Sequence, residues 1–168
     1  RVTMHGADLS HATLQGSRVA GVQWRDLKAQ RSSWWRADLT GSSLRRAEMA
    51  QAVFRECRLA HVDWQGANLN GADFRGATFH MGNSRSGLVG SALASEGTRT
   101  GFYTDETADD LYRMPEQVRS ANLCDTDLRS ANLTGVDLYR VDLRGAELSP
   151  QQRQWAVRCR AIVDRGSA

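Results

Sequence analysis

The residues best able to do chemistry here are four histidines, His5, His11, His61 and His80, and three cysteines, Cys57, Cys124 and Cys159. Metal ligation calls for such groups at short, matched spacings, and the cysteines are widely scattered with no CxxC pair. The histidines read as surface residues at outward positions. A nucleophilic cysteine needs a base beside it, and the sequence places none next to Cys57 or Cys124. Cys57 reads as inert interior packing and Cys124 as an outward thiol. There is no P-loop, no GxGxxG and no nucleophile elbow, so neither a phosphate cradle nor an activated serine is present. The expectation is a non-enzymatic chain without metal or cofactor.

Two further groups stand out. Asp and Asn recur at regular intervals, which resembles a carboxylate array. Their use along the whole chain points instead to backbone hydrogen bonding at corners. The other group is basic and aromatic: Trp35, Arg55 and Arg75 at fourth positions of one face, Arg25 and Arg45 on the next face, and Arg36 at a nearby corner. An outward Trp35 near Arg55 suits a cation–π pair and an anchor for a partner. The competing readings are a solvated face paired to Asp26 and Glu56, a protein-binding face, and a nucleic-acid face. The solvated face ranks first, the protein-binding face second and the nucleic-acid face last, and a net charge of +3 neither demands nor excludes nucleic acid.

These residues are positioned by a repeat. From Ala7 the chain divides into fifteen consecutive five-residue units ending at Met81. The third residue of each is its centre: Leu9, Leu14, Val19, Trp24, Ala29, Trp34, Leu39, Leu44, Met49, Phe54, Leu59, Trp64, Leu69, Phe74 and Phe79. The first residue is usually small. A period of 3.6 would scatter every fifth residue around a helix, and a long strand would alternate by two without resetting. The chain must therefore turn within each unit and wind into a solenoid, with positions one and three inside. Gly at the fifth position suits such a corner. In the unit from Leu27 to Arg31 the large residue, Leu27, takes the small site and Ala29 the centre, which conserves volume.

The units from Ala37 to Gly41, Ala67 to Gly71, Ala72 to Gly76, Ala131 to Gly135 and Val136 to Arg140 resemble the pentapeptide-repeat family, whose pattern is A(D/N)LXX. The match covers roughly two-thirds of the chain. The resemblance implies an all-β fold, a right-handed quadrilateral parallel β-helix with four units per coil. Residues twenty apart would then stack at about 4.8 Å. Charges agree with that spacing: Asp8, Lys28 and Glu48; Arg18, Asp38 and Arg58; Arg36 with Glu56; Asp26 with Arg46. Much of the surface charge is thus expected to pair between coils.

The pattern lapses after Phe79, resumes at Leu88 and Leu93, and returns cleanly from Ala121 to Pro150. We expect one solenoid over 1–163, with coils at 2–94 and 119–149, a loop insertion at 95–118, a capping helix at 150–163 and a tail at 164–168. Within the insertion, Thr104 to Thr107 would cap a short helix running to Arg113, and Gly101 to Thr107 is similar to a loop found in this family. Ser149 as N-cap, Pro150 and Gln152 open the C-terminal helix, with Trp155, Cys159, Ile162 and Val163 as its apolar face. Val2 and Met4 obey the frame, so the repeat is expected to begin upstream.

The function expected from these residues is a scaffold for protein–protein interaction with a partner of unknown identity, in the cytoplasm, with no membrane span. The resemblance adds an alternative: some members of the family modulate type II topoisomerases by mimicking DNA. The mixed to basic surface, with Arg25, Arg36, Arg45, Arg55 and Arg75, disfavours that alternative. The resemblance also implies homodimerisation through a solenoid end, which a C-terminal helix would obstruct.

Overall fold

The computed structural model describes residues 5–80 and 120–164. The second residue of a five-residue unit typically forms an isolated parallel bridge, to the residue twenty positions on within a block and 59 positions on between Asp63, Asn68 or Asp73 and the second block. Four sides result. The first carries Asp8, Lys28, Glu48, Asn68, Asp127 and Glu147. The second carries Thr13, Ser33, Val53, Asp73 and Asn132. The third carries Arg18, Asp38, Arg58 and Thr78, and the fourth Gln23, Ser43, Asp63, Asn122, Asp142 and Ile162. Four units therefore make one circuit of the chain, and successive circuits stack.

The secondary structure differs from the expected all-β, right-handed quadrilateral parallel β-helix. Among the described residues there is no β-strand; the pairing consists of single-residue bridges, and the one regular element is a helix. The reason is local. A unit holds one bridge residue before the chain turns, and a corner residue with positive φ then interrupts the extended run. Gly41 (φ 69°) and Gly76 (φ 71°) adopt this left-handed conformation readily. Arg36 (φ 58°) and Glu56 (φ 57°) adopt it too. That conformation costs a non-glycine residue roughly 1–2 kcal/mol. It is held by hydrogen bonds between circuits, such as the Arg36 N–H to the Arg55 carbonyl at 3.0 Å. A second bond closes the corner: the Ala37 N–H donates to the Trp34 carbonyl at 2.8 Å.

The Asp and Asn residues take the role expected of them. Asp38 Oδ1 accepts from the Thr40 N–H at 3.0 Å, and Asn122 Oδ1 from the Cys124 N–H at 3.0 Å. Each side chain thereby satisfies a corner donor that no neighbouring circuit reaches.

First and third positions fill the interior. Leu27 and Ala29 are both fully buried, so the exchanged pair packs within the same volume. On the second side Trp34, Phe54 and Phe74 form a column of stacked rings, with centroids 6.3 and 5.0 Å apart. Trp64 meets this column edge-on, 5.2 Å from Phe54. The Trp34 indole N–H donates to Ser32 Oγ, which donates to the Ala29 carbonyl.

The stack resumes at Ala121 without loss of register. Asn122 bridges Asp63, Asp127 bridges Asn68 and Asn132 bridges Asp73. Leu88, Leu93, the 95–118 insertion and its short helix lie outside the described residues.

Helix α1 spans Pro150–Arg158. It is shorter than the expected 150–163. Ser149 and Gln152 form a capping box, and Pro150 occupies the first turn. Gln152 Nε2 also donates to the Leu128 and Ala131 carbonyls, both at 2.8 Å. The Trp155 indole N–H donates to the Val136 carbonyl at 2.9 Å. The helix thus covers the last circuit, with Ala156 fully buried. It ends at Arg158, with Cys159 as C-cap, because Arg160 returns to positive φ (58°) and the chain rejoins the ladder. Ile162 bridges Asp142 and is 42% exposed, so it belongs to the fourth side and not to the helix's apolar face.

Candidate interaction face

The six candidate residues divide between opposite sides of the stack. Trp35, Arg55 and Arg75 are fourth-position residues in units bridged through Ser33, Val53 and Asp73, so they form one column on the second side. Arg36 stands at the adjoining corner. Arg25 and Arg45 belong to units bridged through Gln23 and Ser43, on the fourth side. Units two apart in a four-unit circuit lie half a turn from each other. The spacing of twenty already divides these residues into two faces; the bridges place the Arg25 and Arg45 face opposite the Trp35 face and not next to it.

Trp35 is 38% exposed, whereas Trp24, Trp34, Trp64, Phe54, Phe74 and Phe79 are all buried. Its cationic partner is Arg36, whose guanidinium carbon lies 4.7 Å from the ring centroid. Arg55, the expected partner, is held elsewhere: its Nε donates to Asp73 Oδ2 at 2.6 Å. Side chains within a unit's own corner are nearer than those in the next circuit. Arg36 also donates to Glu56 Oε2 at 2.7 Å, and this contact with the indole N–H of Trp35 holds the Glu56 carboxyl below its usual range.

Asp73 serves two guanidiniums. Arg75 donates to the same carboxylate, with Nη2 to Oδ2 at 2.7 Å, so two cations share one anion and the second side keeps a net positive charge here. On the fourth side Arg45 contacts Gln65 Oε1 and lies 3.7 Å from Asp63 Oδ2. Charges twenty apart pair as expected in Arg36–Glu56 at 2.7 Å and Arg46–Asp26 at 2.7 Å. Sequence reasoning missed two other pairings. A fourth-position Arg reaches the Asp eighteen residues on, as in Arg55–Asp73, and the Asp two residues back, as in Arg129–Asp127 at 2.9 Å and Arg144–Asp142 at 2.6 Å. The motif D-x-R within a unit carried that signal.

The other candidates for chemistry are quiet. The Cys57 thiol is buried, donates to the Trp34 carbonyl and is pushed up to about 12 by burial. Cys124 is half-buried and pushed up to about 11, by burial first and by hydrogen bonding to Asp142. His80 corrects the surface reading: it is 4% exposed, with Nε2 3.3 Å from Asp137 Oδ2. Among the described residues no group of three or more His, Cys, Asp or Glu could hold a metal ion, and no helix is long and apolar enough to cross a membrane.

No curated protein matches the chain. Among solved structures it is similar to a trypsin-treated variant of QnrB1, a plasmid-mediated fluoroquinolone resistance protein. That match has a TM-score of 0.59 at 18% identity, over 88% of this chain and 58% of that one. It is also similar to HetL, a pentapeptide repeat protein involved in heterocyst differentiation regulation from Nostoc sp. strain PCC 7120. There the TM-score is 0.46 at 19% identity, over 88% of this chain and 48% of HetL. The chain thus spans between about half and three-fifths of the length of these two proteins. The family model for pentapeptide repeats matches eight copies in residues 28–60, 52–83 and 117–149, more than half of the sequence, and the chain belongs to the pentapeptide-repeat family.

Proposed function

We propose that the chain is a non-enzymatic scaffold that binds a protein partner through its outer sides, and that a type II topoisomerase is the first partner to test. The observation that supports binding is Trp35, exposed with Arg36 over its ring and in the same column as Arg55 and Arg75. An exposed aromatic with arginines at hand is a typical centre for a protein interface. The likeness in fold to QnrB1, a plasmid-mediated fluoroquinolone resistance protein, supports the topoisomerase reading over an unspecified partner. Fluoroquinolones act on type II topoisomerases.

DNA mimicry in the strict sense requires a surface of uncompensated anions. Here Asp26, Glu56, Asp73, Asp127 and Asp142 each hold an arginine. The reading favoured is therefore contact with the enzyme's protein surface, in the cytoplasm where that enzyme works. A gyrase supercoiling assay, with and without a fluoroquinolone, tests it. Inhibition of supercoiling, or protection from the drug, at substoichiometric to equimolar protein supports the reading. No effect on either across that range removes the topoisomerase, and leaves the scaffold to be tested by direct capture of other partners.

A further inference from the structure

We infer that His80 and Ser120 form a closed neck that carries the register of the stack from one repeat block to the next, independently of the chain between them. This concerns the scaffold itself and stands apart from the identity of any partner. Bridged residues are twenty positions apart within the first block, but Asp63 and Asn122 are 59 apart. The excess of 39 matches the residues from 81 to 119. Thr78 lies on the third side and Asn122 on the fourth, so the two blocks meet as neighbouring units of one circuit.

The contacts at the junction do not follow the repeat. His80 and Ser120 form an antiparallel bridge, the one antiparallel pair among the described residues. The Ala121 N–H donates to the Phe79 carbonyl at 2.7 Å. Ser120 Oγ donates to the Tyr139 carbonyl at 3.4 Å. His80 is buried at an outward position, 3.3 Å from Asp137 and edge-on to Tyr139 with ring centroids 6.1 Å apart. The third-side ladder forms no bridge from Thr78 to Asp137, and the His80–Asp137 contact stands in its place. Outgoing and returning chain are thus fastened to each other and to the circuit above. The Ala121 N–H bond to the Phe79 carbonyl makes His80–Ser120 a non-hydrogen-bonded pair, whereas a two-residue turn closes on a hydrogen-bonded one, so a four-residue connection with Asn-Gly at its centre suits this neck.

The test replaces residues 81–119 with the four residues Thr-Asn-Gly-Thr in the full chain, and in a second variant with a twelve-residue Gly/Ser linker. Loop length alone has a small entropic effect. The expected result is one cooperative thermal transition with its midpoint within about 5 °C of the parent in at least one of the two variants. A larger fall in both, or loss of cooperativity in both, overturns the proposal. A control deletes residues 77–119 and joins the ends with Asn-Gly, which removes the third-side unit and slips the second block by one side. It should lose the cooperative transition, and retention of the parent midpoint would overturn register transfer at the neck. His80→Ala in whichever shortened chain folds should lower the midpoint, and an unchanged midpoint would remove His80 from the neck.

Discussion

Asn122 sits directly on Asp63, although 59 positions separate them in the chain: the two are bridged through their backbones, and Asn122 Nδ2 donates to Asp63 Oδ1 at 3.0 Å. Asn122 also holds its own corner through the Cys124 N–H. Asn122→Ala removes both bonds and should destabilise the fold by about 1–2 kcal/mol. Urea unfolding of Asn122→Ala, Asp63→Ala and the double variant checks it. A coupling energy near zero would mean that the side-chain contact contributes nothing across the junction.

The ring column on the second side predicts a much larger effect. Phe54 is fully buried between Trp34 and Phe74. Phe54→Ala should cost about 3–5 kcal/mol, since a stack with fixed circuit spacing can collapse little into the cavity. Phe54→Leu should recover most of that loss. Chemical denaturation midpoints for the two variants give the comparison.

Acid stability should depend on the D-x-R corners. Arg129 holds the Asp127 carboxyl down at about 2, first by hydrogen bonding and then through the backbone and Asn70. A folded-state value below the unfolded one stabilises the fold above the unfolded pKa, near 4, and that contribution fades as pH falls toward 2. The same sign holds for Asp142, lowered chiefly by Arg144. Thermal midpoints should therefore fall between about pH 4 and pH 2. Asp127→Asn should show a shallower fall over that interval, and an identical pH profile would remove Asp127 from the account.

The Trp35 column should matter for binding and little for folding. Trp35 is partly exposed and Arg55 lies on the surface, so Trp35→Ala with Arg55→Ala should shift stability by no more than about 1 kcal/mol. Loss of a central aromatic and arginine from an interface typically costs 2 kcal/mol or more, roughly thirtyfold in affinity. The measurement is binding of the purified double variant to the gyrase subunits, or to any other partner captured by the parent. Because Arg25 and Arg45 occupy the opposite side, Arg25→Ala with Arg45→Ala should leave that binding unchanged.

The five-residue period, the inward and outward positions and the opening of the C-terminal helix were legible in the residues themselves, while the four-unit circuit came from the family resemblance with the charges at a spacing of twenty agreeing. Period and volume are properties of neighbouring side chains, and the alternation of charge at twenty reports the next circuit directly. The Leu27/Ala29 exchange and the Ser149, Pro150 and Gln152 start signal are of this local kind. Tertiary structure decided the rest. Among the described residues the pairing stays at isolated bridges and makes no strands, because left-handed corners interrupt each extended residue. Helix α1 stops at Arg158 because the Ile162 backbone finds partners on Val141 and Leu143 in the circuit below. Trp35 stacks with Arg36, Arg55 turns to Asp73, and Arg25 and Arg45 fall on the far side. His80 is buried because Ser120, Asp137 and Tyr139, all distant in sequence, close around it. Each of these depends on which unit lies beside which after the circuit closes, a relation between remote residues that no local pattern encodes.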